Sequence, residues 1–221
     1  MRFPRLALIL LPAAGLLYCL GALVSWQYGG GGVFHDFAAF KAHRMQLPEY
    51  KPVQSRQFDL DGDGTREDFM LREGKIAVQA GSRLIWQSPD QWWVDSFFLG
   101  DADNNGVPEL NLLVWKQGSF GPHKPFWLEE DDTAIKNHLF IFKLEKGAVK
   151  PVWQSSALDR PNYNAALVDL DGDGENELVV TEGSYTDPAR RETTVWKWNG
   201  WGFSHMDGES GAAGCGRRDN E

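Results

Sequence analysis

The chain has 221 residues, with 31 acidic against 22 basic side chains and a formal net charge of -9. A nucleic-acid binder needs a basic footprint to neutralise phosphates, so that class is excluded; a hydrophobic content of 42% excludes a wholly disordered chain. Cys19 sits in an apolar leader and Cys215 in a polar tail, so the chain offers neither a disulfide framework nor a cysteine zinc site.

Arg2 and Arg5 precede an uncharged apolar run over residues 6–24, LALILLPAAGLLYCLGALV, which approaches the length that crosses a bilayer. No small-residue cleavage pattern follows it, and Tyr18 before Cys19 does not suit lipidation. Residues 1–28 therefore read first as a signal-anchor helix and second as a cleaved signal peptide. Either reading exports the remainder: an extracytoplasmic domain tethered to the cell membrane, or a secreted or periplasmic one if the segment is removed. Residues 29–52 form a linker opened by four glycines, in which the stretch HDFAAFKAHRMQLPEY predicts a short helix.

Beyond the linker one nine-residue pattern occurs three times. Residues 59–67 read DLDGDGTRE, residues 101–109 DADNNGVPE and residues 169–177 DLDGDGENE. All have Asp at places one and three, Asp or Asn at five, Gly at six and Glu at nine. A hard cation such as calcium takes six to eight oxygens. Alternate residues of a tight loop can point inward, and glycine takes the backbone angles that a side chain resists. The predicted ligand sets are Asp59, Asp61, Asp63 and Glu67; Asp101, Asp103, Asn105 and Glu109; and Asp169, Asp171, Asp173 and Glu177. Backbone carbonyls of Thr65, Val107 and Glu175 are the expected further donors. With three carboxylates and an amide, the second loop is expected to bind most weakly. An EF-hand would need a bidentate Glu at place twelve, where this chain has Met70, Leu112 and Val180.

The loops lie between strand-like runs. QSRQF, WVDSFFLG and NAALV precede them, and DFMLRE, ELNLLVW and ELVVTEG follow. Two more strand-like runs follow in each case: KIAVQAG with RLIWQSP, HLFIFKLE with VKPVWQS, and TTVWKWNG with GFSHM. Each unit is thus strand, metal loop, strand, connection, strand, tight turn, strand. Three such units over residues 53–206 predict an all-β fold, a β-propeller-like array of three four-stranded antiparallel blades. Residues 207–221, DGESGAAGCGRRDNE, read as a disordered tail.

With its D-x-D-x-[DN]-G-x-x-[DE] loops, the region from Val53 to Met206 resembles the FG-GAP and VCBS repeats, relatives of the integrin alpha amino-terminal propeller. The resemblance implies an extracytoplasmic β-propeller holding up to three calcium ions, each between the first two strands of a blade. The chain departs from that pattern in having Glu at place nine and three units where propellers have four or more. A second copy completing the ring in a homo-oligomer is one way to close it.

In a four-stranded meander the metal loops and the last tight turns share one rim, and the middle connections open on the other. The longest insertion, residues 117–137, lies on that second rim. It carries Phe120, His123, Phe126 and Trp127, with Trp92, Trp93 and Tyr163 on neighbouring connections. Phe120, His123, Trp92, Trp93, Trp127 and Tyr163 are candidate ligand-binding residues for a protein or glycan partner on the cell surface. A local mini-core is the competing reading for Trp92, Trp93 and Trp127. Trp86, Trp115, Trp153 and Trp196, at repeat-related strand places, read as core. No nucleophile elbow, phosphate loop or HExxH occurs, which argues against an enzyme. The alternative is a polysaccharide-acting enzyme using Glu129, Glu130 and Asp187 in a cleft lined by the insertion. His123 and His138 beside residues 129–132 form a weaker candidate metal site.

Overall fold

Among the described residues, alternating side chains fold the predicted runs into twelve strands: β1 (Val53–Phe58), β2 (Glu67–Arg72), β3 (Lys75–Ala80), β4 (Arg83–Gln87), β5 (Trp92–Gly100), β6 (Glu109–Gln117), β7 (Ile135–Glu145), β8 (Ala148–Gln154), β9 (Asn162–Val168), β10 (Glu177–Glu182), β11 (Glu192–Trp198) and β12 (Phe203–His205). One helix among the described residues, α1 (Phe37–Arg44), precedes them, begun where Asp36 Oδ1 accepts the N–H groups of Ala38 and Ala39 at 2.8 and 3.0 Å. The computed structural model describes residues 33–47, 50–119, 126–127, 132–187 and 189–206. The signal segment read over residues 1–28 and the tail over 207–221 lie outside them. Among the described residues no helix is long and apolar enough to cross a membrane.

The strands pair as three antiparallel four-stranded meanders, β1-β2-β3-β4, β5-β6-β7-β8 and β9-β10-β11-β12. The fold is all-β, with one sheet per sequence repeat. Side chains of the middle sheet alternate between two cores. Leu110, Leu112, Val114, Phe140, Phe142 and Leu144 pack with Phe69, Leu71, Ile76 and Val78 of the first sheet. The intervening Leu113 and Leu139 pack with Leu178 and Val180 of the third. Sheets one and three therefore cover opposite faces of sheet two, which explains why seven consecutive residues of β6, Glu109 to Trp115, are all buried. A strand covered on both faces reads as a continuous apolar run, which is how ELNLLVW appears in the sequence.

A third cluster sits at the end of the strands away from the acidic loops. The β5–β6 register runs from Gly100↔Glu109 at the loop end to Trp92↔Lys116 at the other. At that far end α1 lays Phe40 on Trp115, with ring centroids 5.2 Å apart, and Trp93 and Ile135 complete a buried group. The turn between β2 and β3 closes on it. Gly74 has φ 75, and a Cβ there would lie 2.3 Å from the Trp93 ring, so only glycine fits.

Beneath α1 lies a buried ion pair. Asp95 accepts from Arg44 Nε at 3.2 Å and forms a second contact with Arg44 Nη2. It also accepts the indole N–H groups of Trp93 and Trp115 at 2.8 and 2.6 Å. The ladder shifts register between Val94 and Ser96, and this bulge places the Asp95 carboxylate between the two indoles.

Candidate metal centres

Every repeat folds its acidic loop in the same way, because the same side chains bond the same backbone groups. The loops join β1 to β2, β5 to β6 and β9 to β10, so the ninth-place Glu is the first residue of the second strand in each sheet. Its carboxylate turns back into the loop. Glu67, Glu109 and Glu177 accept the second-place N–H of Leu60, Ala102 and Leu170 at 3.0, 2.8 and 3.0 Å. The first-place Asp accepts the N–H of the sixth-place glycine, at 2.9 Å (Asp59–Gly64), 2.7 Å (Asp101–Gly106) and 3.1 Å (Asp169–Gly174). Those three glycines have φ between 87 and 89, a region other side chains resist.

These bonds bring together three carboxylates per loop: Asp59, Asp61 and Glu67; Asp101, Asp103 and Glu109; Asp169, Asp171 and Glu177. In each trio one oxygen per residue lies within 4.8 Å of the others, so each cluster can hold a metal ion. Asp63 and Asp173, at the fifth place, are not members of these trios. Asp63, Asn105 and Asp173 instead accept the seventh-place N–H of Thr65, Val107 and Glu175 at 2.7, 2.8 and 2.8 Å, the local turn that Asp and Asn favour. That bond shapes the loop.

The unbound electrostatics suit a cation. Glu67, Glu109 and Glu177 are each 1–2% exposed. Asp59 Oδ1 and Glu177 Oε1 are buried without a hydrogen-bond partner. A buried carboxylate lacking compensation is costly, and a metal ion is one means of compensating it. Burial, with Asp103 and Asp101 beside it, pushes the Glu109 carboxyl up to about 7. Burial also raises Glu67 and Asp103. The donor set thus fits a hard cation on the structure's own geometry.

One expected result follows for the ion-free chain. Because Glu109 binds its proton more tightly when folded, its contribution to stability is full below the ordinary carboxylate value and is lost as pH rises towards 7. Glu109→Gln mimics the protonated form at every pH. In chelator, urea unfolding should show the variant gaining stability relative to wild type from about pH 4.5 to 7, then holding a constant difference. Parallel profiles would contradict this. His138, which burial pushes down to about 4, titrates in the opposite sense but cancels in the difference.

The candidate ligand-binding aromatics separate. Trp127 is 69% exposed and stands edge-on to Phe126, itself 94% exposed, with centroids 4.9 Å apart. Trp93 is not an open platform: it is 2% exposed and belongs to the α1 cluster, where its indole N–H meets Asp95. Trp92 is half-buried against Phe140 and Phe142. Tyr163 is half-buried, with the Arg191 guanidinium 3.6 Å and that of Arg44 5.6 Å from its ring centroid. Phe120 and His123 lie outside the described residues, as do Glu129 and Glu130. Asp187 is exposed, and its Oδ1 caps its own turn by accepting the Ala189 N–H at 3.1 Å. His138 is fully buried, with Nδ1 3.2 Å from the Ser155 carbonyl oxygen, a packing role rather than that of an accessible ligand.

Three features escaped the sequence reading. Asp95, a lone charge within the apolar strand WWVDSFFLG, was a visible signal for the buried pair with Arg44. Asn104 replaces the glycine found at place four of the other loops, and it joins loop two to loop three. It accepts the Asn176 N–H at 2.7 Å and donates to the Asn176 carbonyl at 3.2 Å, while Asn176 Nδ2 donates to the Asp101 carbonyl at 2.9 Å. Lys197 approaches the third loop from β11. No protein-family model matches the chain, and a search of curated proteins finds no match.

Proposed function

We propose that this chain is an exported, membrane-tethered calcium-binding module of the FG-GAP/VCBS type. In this reading its three sheets are blades of a β-propeller-like array, and the rim away from the ions engages a protein or glycan at the cell surface. The observation that carries the reading is the recurrence, in three loops joining the first two strands of a sheet, of one hydrogen-bond pattern converging one trio of carboxylates. An all-oxygen set with several carboxylates suits calcium better than softer metals. Calcium, when bound, supplies a divalent centre that neutralises the carboxylates and ties the ends of two strands together. Asp59, Asp61 and Glu67 would hold it in the first loop, with Asp101, Asp103 and Glu109 doing so in the second. The role is structural, so binding adds to folding stability.

The exposed Phe126–Trp127 pair on the 117–137 connection supports a binding role for that rim, since paired aromatic faces stack on sugar rings or anchor a protein partner. The test of the metal reading is elemental analysis of the purified full-length chain after dialysis from buffer containing calcium and magnesium. Calcium should be retained at more than one ion per chain; a chain empty of metal overturns the reading.

A further inference from the structure

The three loops share a backbone pattern but differ in what faces them from the third strand of their sheet. In the third sheet Glu177 pairs directly with Lys197. In the first, Asp68 pairs with Gln79, so Ala80 is next along and stands where the lysine would be. In the second, Leu110 pairs with Phe142, so Lys143 is next along, and it turns instead to Glu145 at 3.7 Å. Lys197 does reach its loop. Its Nζ lies 2.9 Å from Asp173 Oδ2, 3.2 Å from Glu175 Oε2 and 3.7 Å from Glu177 Oε1. That last oxygen is the buried one with no hydrogen-bond partner. Among the described residues no lysine or arginine pairs with the carboxylates of the first two loops.

We propose that Lys197 is the built-in counter-cation of the third loop, so that the chain binds two divalent ions, at loops one and two, while loop three is closed by its own lysine. The proposal rests on the reading that the first two loops take calcium. A tethered ammonium is always present at high effective concentration, whereas a free ion must be captured from solution. A divalent ion in the Asp169, Asp171 and Glu177 trio would also lie beside a like charge, a repulsion that weakens binding roughly tenfold or more at this range. Counting carboxylates alone ranks loop two as the weakest site; Lys197 moves that rank to loop three. The closed third loop then has a use, because Asn176, one residue before Glu177, holds Asn104 and the Asp101 carbonyl of loop two. A loop fixed without metal thereby braces a loop that needs it.

The test is calorimetric titration of the chelated and dialysed full-length chain with calcium alone. Wild type should bind two ions, Asp101→Asn should lower the count to one, and Asp169→Asn should leave it at two. Lys197→Met should raise the count to three, with Lys197→Gln standing in should the first variant fold poorly. Three ions on wild type, loss of an ion on Asp169→Asn, or an unchanged count in a folded Lys197 variant each overturn the assignment while leaving calcium binding intact. No binding at all removes the underlying reading as well.

Discussion

Removing calcium from the full-length chain is expected to lower its melting temperature by about 10–20 °C. The magnitude comes from linkage. An ion present at a hundred times its dissociation constant stabilises the folded state by about 2.7 kcal/mol per site, so two filled loops contribute about 5 kcal/mol. A folded region of this size moves by roughly 2–4 °C per kcal/mol. The cause lies in the trios. Without an ion, Glu67 and Glu109 are buried carboxylates with acidic neighbours and only backbone N–H groups for compensation. The ends of β1 and β2, and of β5 and β6, are then held by hydrogen bonds that draw like charges together. Magnesium should restore only part of the loss, since it prefers a smaller octahedral shell and keeps its water. Differential scanning calorimetry in saturating calcium and in chelator measures the shift. Coincident melting curves would show that the carboxylates are compensated by protons and water alone.

What the sequence revealed and what it concealed divide by the distance over which each feature is encoded. The loops were legible because all their carboxylates fall within nine consecutive residues, and their bonds span seven or fewer positions. The strands and their grouping by four were legible because hairpin pairing is local and alternation has period two. Contacts fixed by stacking sheets were not legible. Arg44 and Asp95 are 51 positions apart, and Asn104 and Asn176 are 72 apart. Lys197 becomes relevant only once the register places it opposite Glu177. The aromatic rim shows the same limit. Trp92 and Trp93 fall near a connection, where a surface platform and a local mini-core read alike; Trp93 takes the second form, filling the space that Gly74 leaves open and α1 covers. Position along a strand told which rim a residue belongs to, while burial depended on a helix from outside the repeats.

That helix provides the other large expected effect. Asp95→Ala should destabilise the fold by about 3–5 kcal/mol, the usual cost of removing one partner from a buried ion pair. The Arg44 and Asp95 side chains are only 9% and 10% exposed, so water cannot readily replace the lost partner. Two indole donors, Trp93 Nε1 and Trp115 Nε1, would be stranded with the guanidinium. Arg44→Met should cost less, because it leaves the Asp95 carboxylate two hydrogen-bond donors, the indole N–H groups of Trp93 and Trp115. Combining Arg44→Met with Asp95→Leu removes both charges, and apolar replacement of a buried pair is often near neutral. The double variant should therefore be more stable than Asp95→Ala alone, a departure from additivity that reports the pair itself. Urea unfolding followed by tryptophan fluorescence suits the measurement, as both indoles at the pair are reporters. A loss below about 1 kcal/mol for Asp95→Ala, the range of an exposed pair, would mean that α1 is held by the apolar packing of Phe40 with Trp115 and Ile135 and that the ion pair is incidental.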